Sequence, residues 1–531
     1  MGFFMSARFI FITGGVVSSL GKGVSVASIG TLLQNKGFKI KLRKLDPYLN
    51  VDPGTLNPYE HGEVFITKDG GETDLDLGHY ERFTNISTSK YDNTTSGRIY
   101  SSVIHAERCG EYLGKTVQVI PHITDAIKNF ILRDADNYDF VISEIGGTIG
   151  DIESLPFLEA IRQLKNDLGQ EMVLNIHLTL LPYIESAGEM KTKPTQNSIK
   201  SLLSIGIQAD MILCRTVKHM TDDIRTKISH FCNVSKNRIF EAIDTNLIYK
   251  IPVLFKNQKL DDEILKFFQI TEKYDNDLKD LRAFVDKFEN LGDDEISIGI
   301  FGKYIDLQDS YKSLHEALRN TGIAMNKRVN IISFNTEDFD EEQFKNIAGV
   351  VIPGGFGARG VEGKIQAIKF AREHDIPCLG ICFGMQLMLI EFARNVLGFN
   401  DANSTEIDPA TSYPVINLLS MTKDASELGG SMRLGDMICN IKKDTKLFDI
   451  YKESSVYERF RHRYGFDKRY ISDFENQGVV FSGFDDSNVV EAIELSNKKW
   501  FIGVQYHPEF NSTPLSPSPL FKSFLSAITN R

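Results

Sequence analysis

The chain has 531 residues, too many for one hydrophobic core, so at least two domains are expected. Its 42% hydrophobic and 25% charged content is that of a soluble globular protein, and a formal charge of -11 argues against nucleic acid or an anionic membrane as a bulk partner. Six scattered cysteines without a Cys-x-x-Cys pair suggest neither a zinc ribbon nor a disulfide framework, and fit a reducing cytoplasm.

The start, Met1-Gly2-Phe3-Phe4-Met5-Ser6, formally fits a myristoylation pattern. Arg8 interrupts the apolar run, which continues as a strand, so neither a lipid anchor nor a signal peptide is expected. No apolar stretch reaches membrane-spanning length. Arg8 to Thr13 reads as a buried strand, followed by a Gly/Ser loop and a helix over Ser25 to Lys36. Further strands are predicted at Phe38 to Leu45, Tyr138 to Ile145, Met172 to Leu180, Ala209 to Cys214 and Arg238 to Ile243. Strands alternating with helices imply a parallel sheet covered on both faces. A charged stretch follows, with apolar residues at helical spacing (Leu278, Leu281, Phe284, Val285, Phe288), and reads as a linker with a surface helix. A second α/β pattern starts at Glu295, with strands at Ile296 to Phe301, Val329 to Phe334, Ala348 to Ile352 and Pro377 to Ile381, and a helix over Ser310 to Ala324. The expected architecture is thus two doubly wound α/β domains, residues 1-268 and 295-531, joined by a linker at 269-294.

In the first domain, Gly14-Gly15-Val16-Val17-Ser18-Ser19-Leu20-Gly21-Lys22-Gly23 lies between a strand and a helix. That context suits a phosphate cradle of backbone N–H groups with a lysine reaching phosphate oxygens. It departs from a Walker A loop: the glycine spacing is one residue long, and Gly23 stands where Ser or Thr would ligate magnesium. The carboxylate-rich segment Glu72 to His79, and Glu144 at the end of a predicted strand before Gly146-Gly147, are placed to hold a nucleotide's Mg²⁺. Solvated acidic loops are the plainer alternative for each segment.

In the second domain, Gly380-Ile381-Cys382-Phe383-Gly384 ends an apolar strand and opens a helix, the logic of a nucleophile elbow with Cys in place of Ser. The glycines permit close packing where a Cβ would clash. The helix N-terminus favours a thiolate. Downstream, His507 in Gln505-Tyr506-His507-Pro508-Glu509 can take the thiol proton, and Glu509 can orient the imidazole. Pro353-Gly354-Gly355-Phe356-Gly357 follows a strand and reads as an oxyanion-hole loop.

The second domain resembles the class I glutamine amidotransferases, which hydrolyse glutamine to glutamate and ammonia. The resemblance implies Cys382 as nucleophile, His507 as base and Glu509 as its partner, with Gly355 in the oxyanion hole. It implies Glu406, Arg463 and Phe383-Gly384-Met385-Gln386 around glutamine. With Lys44 to Thr55, Glu144 to Pro156 and Lys191 to Gln196, nearly the whole chain resembles the cytidine triphosphate (CTP) synthases. That family aminates UTP at C4, using ATP, Mg²⁺ and L-glutamine, through a 4-phosphoryl intermediate. The resemblance implies ATP contacts at Ser19, Leu20, Gly21, Lys22, Gly23, Val24, Asp76, Ile243, Asp244 and Thr245, and a metal on Asp76 and Glu144. It implies UTP or CTP contacts at Ser18, Asp151, Ile152, Glu153, Lys191, Thr192, Lys193, Pro194, Thr195, Gln196 and Lys227, with Lys44 a further phosphate contact. Activation by GTP, with lid loops such as Leu428 to Gly435 taking part, inhibition by CTP and a homotetramer are also implied. Ile243 departs from the lysine that relatives often carry there. Other amidoligases with related phosphate loops, acting on cobyrinic acid or biotin precursors, and a non-catalytic scaffold are the competing readings. The Lys191 to Gln196 segment speaks against the former, and the intact Cys382, His507, Glu509, Asp76 and Glu144 against the latter.

Overall fold

A computed structural model describes residues 7–271, 274, 276–305, 307–419 and 432–529. The expectation for Met1 to Ser6, and residues 428–431 of the lid loop, lie outside the described residues. The chain divides into two compact units, residues 1–53 with 76–285, and residues 54–75 with 286–531.

The first unit is built on a seven-stranded sheet in the order Ile239–Ile243, Met211–Thr216, Val173–Leu180, Arg8–Gly14, Phe140–Ile145, Ile40–Asp46, Asn93–Thr95. Every pairing in it is parallel. Strands such as Phe140–Ile145 are buried along their whole length, as a sheet covered on both faces requires. The helix Lys22–Asn35 begins at the glycine loop, three residues earlier than its apolar pattern predicts. The predicted linker helix forms at Lys279–Glu289, but Leu281, Phe284 and Val285 are buried and Phe284 meets Tyr249 edge-on at 5.8 Å. It is therefore a packed element of the first unit as far as Val285, not a solvated connector.

The second unit carries a nine-stranded mixed sheet: Arg328–Asn335, Glu295–Gly302, Gly349–Ile352, Cys378–Ile381, Phe501–Val504, Val490–Leu495, Val479–Phe484, Arg433–Ile441, Ser455–His462. The first five strands are parallel and the rest pair antiparallel, an extension that helix–strand alternation did not reveal.

The other departure is residues 54–75, expected in the first domain. They pack in the second unit through Phe65–Ile66 and Glu72–Thr73. Both oxygens of Glu63 accept the Ser313 N–H at 2.9 Å. Arg459 donates to the Ile66 carbonyl at 2.9 Å, and Arg461 to Glu72 at 2.7 Å and to the Gly54 carbonyl at 2.9 Å. None of these partners is near in sequence, so local pattern carries no sign of the exchange.

Candidate active sites

The thiol of the second unit is placed by backbone constraint. Cys382 sits between strand Cys378–Ile381 and helix Phe383–Asn395 at φ 52°, ψ -106°, a positive φ that a side chain rarely adopts. Its N–H donates to the Val504 carbonyl at 2.7 Å, fixing the turn to the neighbouring strand. A Cβ at Gly380 would lie 2.4 Å from Met388 Sδ, and one at Gly384 only 2.0 Å from the Ile352 carbonyl oxygen. Both glycines are therefore required for the elbow to close, as the sequence implies.

His507 Nδ1 and Glu509 Oε1 are 2.7 Å apart, so the carboxylate fixes the ring with Nε2 free for the thiol. Burial opposes charge on this imidazole. The fields of Glu509 and of a Cys382 thiolate outweigh it, and His507 is pushed up to about 10. A Cβ built on Gly354 would lie 3.0 Å from His507 Cε1 and 3.7 Å from Cys382 Cβ, so that glycine leaves space for both. Two lysines that sequence reasoning missed hold the Pro353 to Phe356 loop by its carbonyls. Lys364 Nζ donates to the Pro353 oxygen at 3.1 Å and Lys303 Nζ donates to that of Phe356. Lys364 is pushed down to about 7 by burial and by Lys303, with Cys382 acting the other way.

Cys382, His507, Glu509, Gly354 and Gly355 open on a cavity of about 200 Å³. Its far wall includes Gly54, Leu56, Pro58, Glu63 and Val64, so the exchanged segment completes the chamber beside the thiol. The expected glutamine contacts divide. Glu406 accepts the Gly357 N–H at 2.9 Å, and its carboxyl is raised by burial, with that N–H, Lys303 and Arg463 opposing. The Phe383 and Met385 side chains are buried in the apolar core, and Gln386 is buried and donates to the Tyr464 carbonyl at 2.8 Å.

In the first unit, the glycine loop joins strand Arg8–Gly14 to helix Lys22–Asn35. Ser18 and Ser19 are exposed, Leu20 is buried and Val24 is half-buried. Val16, Ser19 and Gly21 all take positive φ, which turns successive backbone groups in the manner of an anion-binding nest. A Cβ on Gly15 would strike Ser198 Oγ at 1.7 Å, so the loop presses on helix Lys193–Ser204. Lys22 Nζ donates to the Gly147 carbonyl at 2.7 Å, and burial lowers its proton affinity. His177 links Thr13 at 2.8 Å and Ser198 at 2.7 Å under this loop, a link no sequence motif signals. Arg215 donates to the Ser19 carbonyl at 2.8 Å and to Asp244 at 2.9 Å, bringing the Ile243 to Thr245 segment to the loop.

Lys44 Nζ stands 2.5 Å from Asp76 Oδ2 and 2.7 Å from Glu144 Oε1, while Tyr80 donates to Glu144 Oε2 at 2.6 Å. Burial, then the field of Asp76, raises the Glu144 carboxyl, with Lys44 and Lys22 opposing. A Cβ at residue 23 would lie 1.9 Å from Asp76 Oδ1. This explains the departure from the Walker pattern: the Asp76 carboxylate fills the space of the missing hydroxyl side chain. Among the described residues no group of three or more His, Cys, Asp or Glu is placed to hold a metal. Two hard carboxylates around an ammonium still fit Mg²⁺, which takes one or two protein carboxylates and completes its shell with phosphate and water.

The expected UTP and CTP contacts also divide. Asp151, Ile152, Glu153, Lys191, Lys193 and Lys227 are exposed. Lys191 pairs with Glu189, whose carboxyl is lowered by Lys191 first and also by Lys227. Pro194 is half-buried in the first turn of its helix. Thr192, Thr195 and Gln196 face the fold, where Thr195 donates to the Leu180 carbonyl at 3.0 Å and Gln196 to Thr192 at 3.0 Å.

Comparison with known proteins decides between the readings. The family model "CTP synthase N-terminus" matches residues 8–270, and "Glutamine amidotransferase class-I" matches residues 306–527. A CTP synthase of Hydrogenobaculum sp. is 55% identical over 98% of this chain and 97% of its own length. One of Aquifex aeolicus is 52% identical over 98% of each. The chain belongs to the CTP synthase family. Its activity is accordingly the ATP-dependent conversion of UTP to CTP with glutamine as nitrogen donor, a step of pyrimidine nucleotide synthesis. The solved glutaminase domain of Trypanosoma brucei CTPS, with bound acivicin, is 33% identical, covers 44% of this chain and 94% of its own, and superposes with a TM-score of 0.42. No helix among the described residues is long and apolar enough to cross a membrane.

Proposed function

We propose that the two units divide the CTP synthase reaction, with Cys382 releasing ammonia and the Lys44–Asp76–Glu144 cluster serving phosphoryl transfer to UTP. The observation that carries this reading is the bonded His507–Glu509 pair opening on the same cavity as the elbow thiol. His507 takes the Cys382 proton and the sulfur forms a bond to the glutamine amide carbon, while the carbonyl π pair moves to oxygen. Backbone N–H groups of the Pro353 to Phe356 loop and of the elbow receive that oxyanion. On collapse the C–N bond breaks, His507 returns its proton to the leaving nitrogen, and ammonia departs into the cavity. Water attacks the thioester by the same route in reverse and regenerates the thiol.

In the first unit the glycine loop and Lys22 hold ATP phosphates. Asp76 and Glu144 hold Mg²⁺, which when bound offsets charge on the transferring phosphoryl group. Lys44 stays beside both carboxylates as a second positive charge for phosphate oxygens. Uracil O4 attacks the γ-phosphorus and ADP leaves. Ammonia then attacks C4 of the 4-phosphoryl nucleotide, loses a proton, and phosphate departs from C4. Lys191, Lys193 and Lys227 are exposed, the first and last of them near Glu189, and are the cations suited to the UTP triphosphate. Asp151 to Glu153 are suited to the cytidine nucleotide. CTP inhibition, GTP activation, a homotetramer and a cytoplasmic location complete the proposal on family grounds.

The test is Cys382→Ala. We expect CTP formation from glutamine to fall below detection and formation from ammonium to persist near the original rate. Loss of both in a folded variant would sink the division of labour.

A further inference from the structure

His507, held protonated by Glu509, is one partner for negative charge on the Cys382 sulfur, and a second group also reaches that atom. Gln505, two residues before His507, is wholly buried. Its Nε2 lies 3.6 Å from Cys382 Sγ and its Oε1 accepts from Gln386 Nε2 at 3.1 Å. A side-chain amide can be turned either way, so its direction has to be fixed by its partners. Here the chain of partners ends on a group with one role. The Tyr464 carbonyl can only accept, and Gln386 Nε2 reaches it at 2.8 Å. That orients Gln386 with its donors toward Gln505, so Gln505 presents oxygen to Gln386 and its N–H to sulfur. Its own backbone N–H donates to the Glu491 carbonyl at 2.8 Å, which holds the residue in place. The Arg461 carbonyl also lies 3.5 Å from the sulfur, where it can accept from a thiol but repels a thiolate.

We propose that Gln505 is a further catalytic group of the glutaminase, whose side-chain N–H stabilises the Cys382 thiolate, with Gln386 as the positioning residue that fixes its orientation. A hydrogen bond donated to the charged form of a group favours that form. The charged groups acting on the thiol are His507, with Glu509 behind it, and Lys364 from helix Val361–Glu373. Gln505 adds a neutral donor that does not titrate, so the thiolate remains supported when His507 or Lys364 loses a proton. The same reading gives Gln386 a definite task in place of contact with substrate. The proposal rests on Cys382 being the nucleophile.

The test is the pH profile of Cys382 alkylation by iodoacetamide in the full chain, located by peptide mass. In Gln505→Leu we expect the profile to move alkaline by about one pH unit, the effect of losing a hydrogen bond to a charged group. The kcat for glutamine hydrolysis should fall about tenfold or more, with KM little changed. Gln386→Leu should move the profile the same way by less, and it decides the matter if Gln505→Leu lacks a cooperative thermal transition. A profile that coincides with the unmodified protein's in the folded variant overturns the proposal whatever happens to activity. Failure of the nucleophile assignment would show separately, as absence of selective Cys382 labelling in the unmodified protein.

Discussion

The two sites are built on opposite terms. The thiol site is fixed by backbone: a positive φ at Cys382, two glycines with no room for a Cβ, and a His507–Glu509 pair already at 2.7 Å. The site proposed for nucleotide is fixed by charge: a glycine loop exposed at residues 16–19, and carboxylates whose mutual repulsion Lys44 relieves. On the proposed reading, the first has its reacting groups assembled before glutamine enters. The second lacks its reacting phosphates until ATP and UTP bind, so its cluster waits in an internally neutralised form. Uncoupled, the first site would waste glutamine, which makes occupancy of the second a physically sensible condition for turnover of the first.

Substitutions that touch one kind of constraint at a time sharpen this contrast. Gly384→Ala should have the largest effect, because its Cβ meets a backbone oxygen at 2.0 Å at the strand end carrying the oxyanion loop. We expect a loss of about 3 kcal/mol in thermal unfolding. Glutamine-driven CTP formation should fall about 10²–10³-fold, more than ammonium-driven formation. Gly23→Ala tests the charge-built site. It should push the Asp76 carboxylate aside and lower CTP formation from either nitrogen source about 10²-fold, as a small misplacement of a reacting group does. Equal rates in this variant would remove Asp76 from the chemistry.

Glu509→Gln gives the smallest change, and its signature is pH dependence. His507 is raised from 6.5 to about 10, so the stabilisation from its protonated form is complete below pH 6.5 and is lost as pH climbs through about 10. The variant should unfold at lower temperature near neutrality, by the equivalent of about 2 kcal/mol, with the gap closing toward pH 10. A constant gap across that range would contradict the charged His507–Glu509 pair.

What the sequence showed, and what it hid, follows the same division. The elbow was legible because Gly380, Cys382 and Gly384 are neighbours whose constraint is local. The parallel strands were legible because burial on both faces leaves continuous apolar runs such as Phe9 to Ile12. The packing of residues 54–75 in the second unit was not, since Glu63, Ile66 and Glu72 find partners some 250 to 390 positions away. The helix Lys279–Glu289 shows why amphipathic spacing alone misleads: it says that one face is apolar, not which unit buries it. At the Lys44–Asp76–Glu144 cluster, residue types suggested paired carboxylates, but that Lys44 neutralises them and that Gly23 yields its space to Asp76 required three dimensions.

The central claim is that nitrogen freed at Cys382 becomes the amino group of CTP. It is tested most directly by supplying amide-¹⁵N glutamine, ATP and UTP to the full chain and measuring the isotope in the product. We expect ¹⁵N at the cytosine 4-amino group, and no labelled CTP from Cys382→Ala given the same mixture with unlabelled ammonium. Unlabelled CTP from the intact protein, or labelled CTP from the variant, would contradict it.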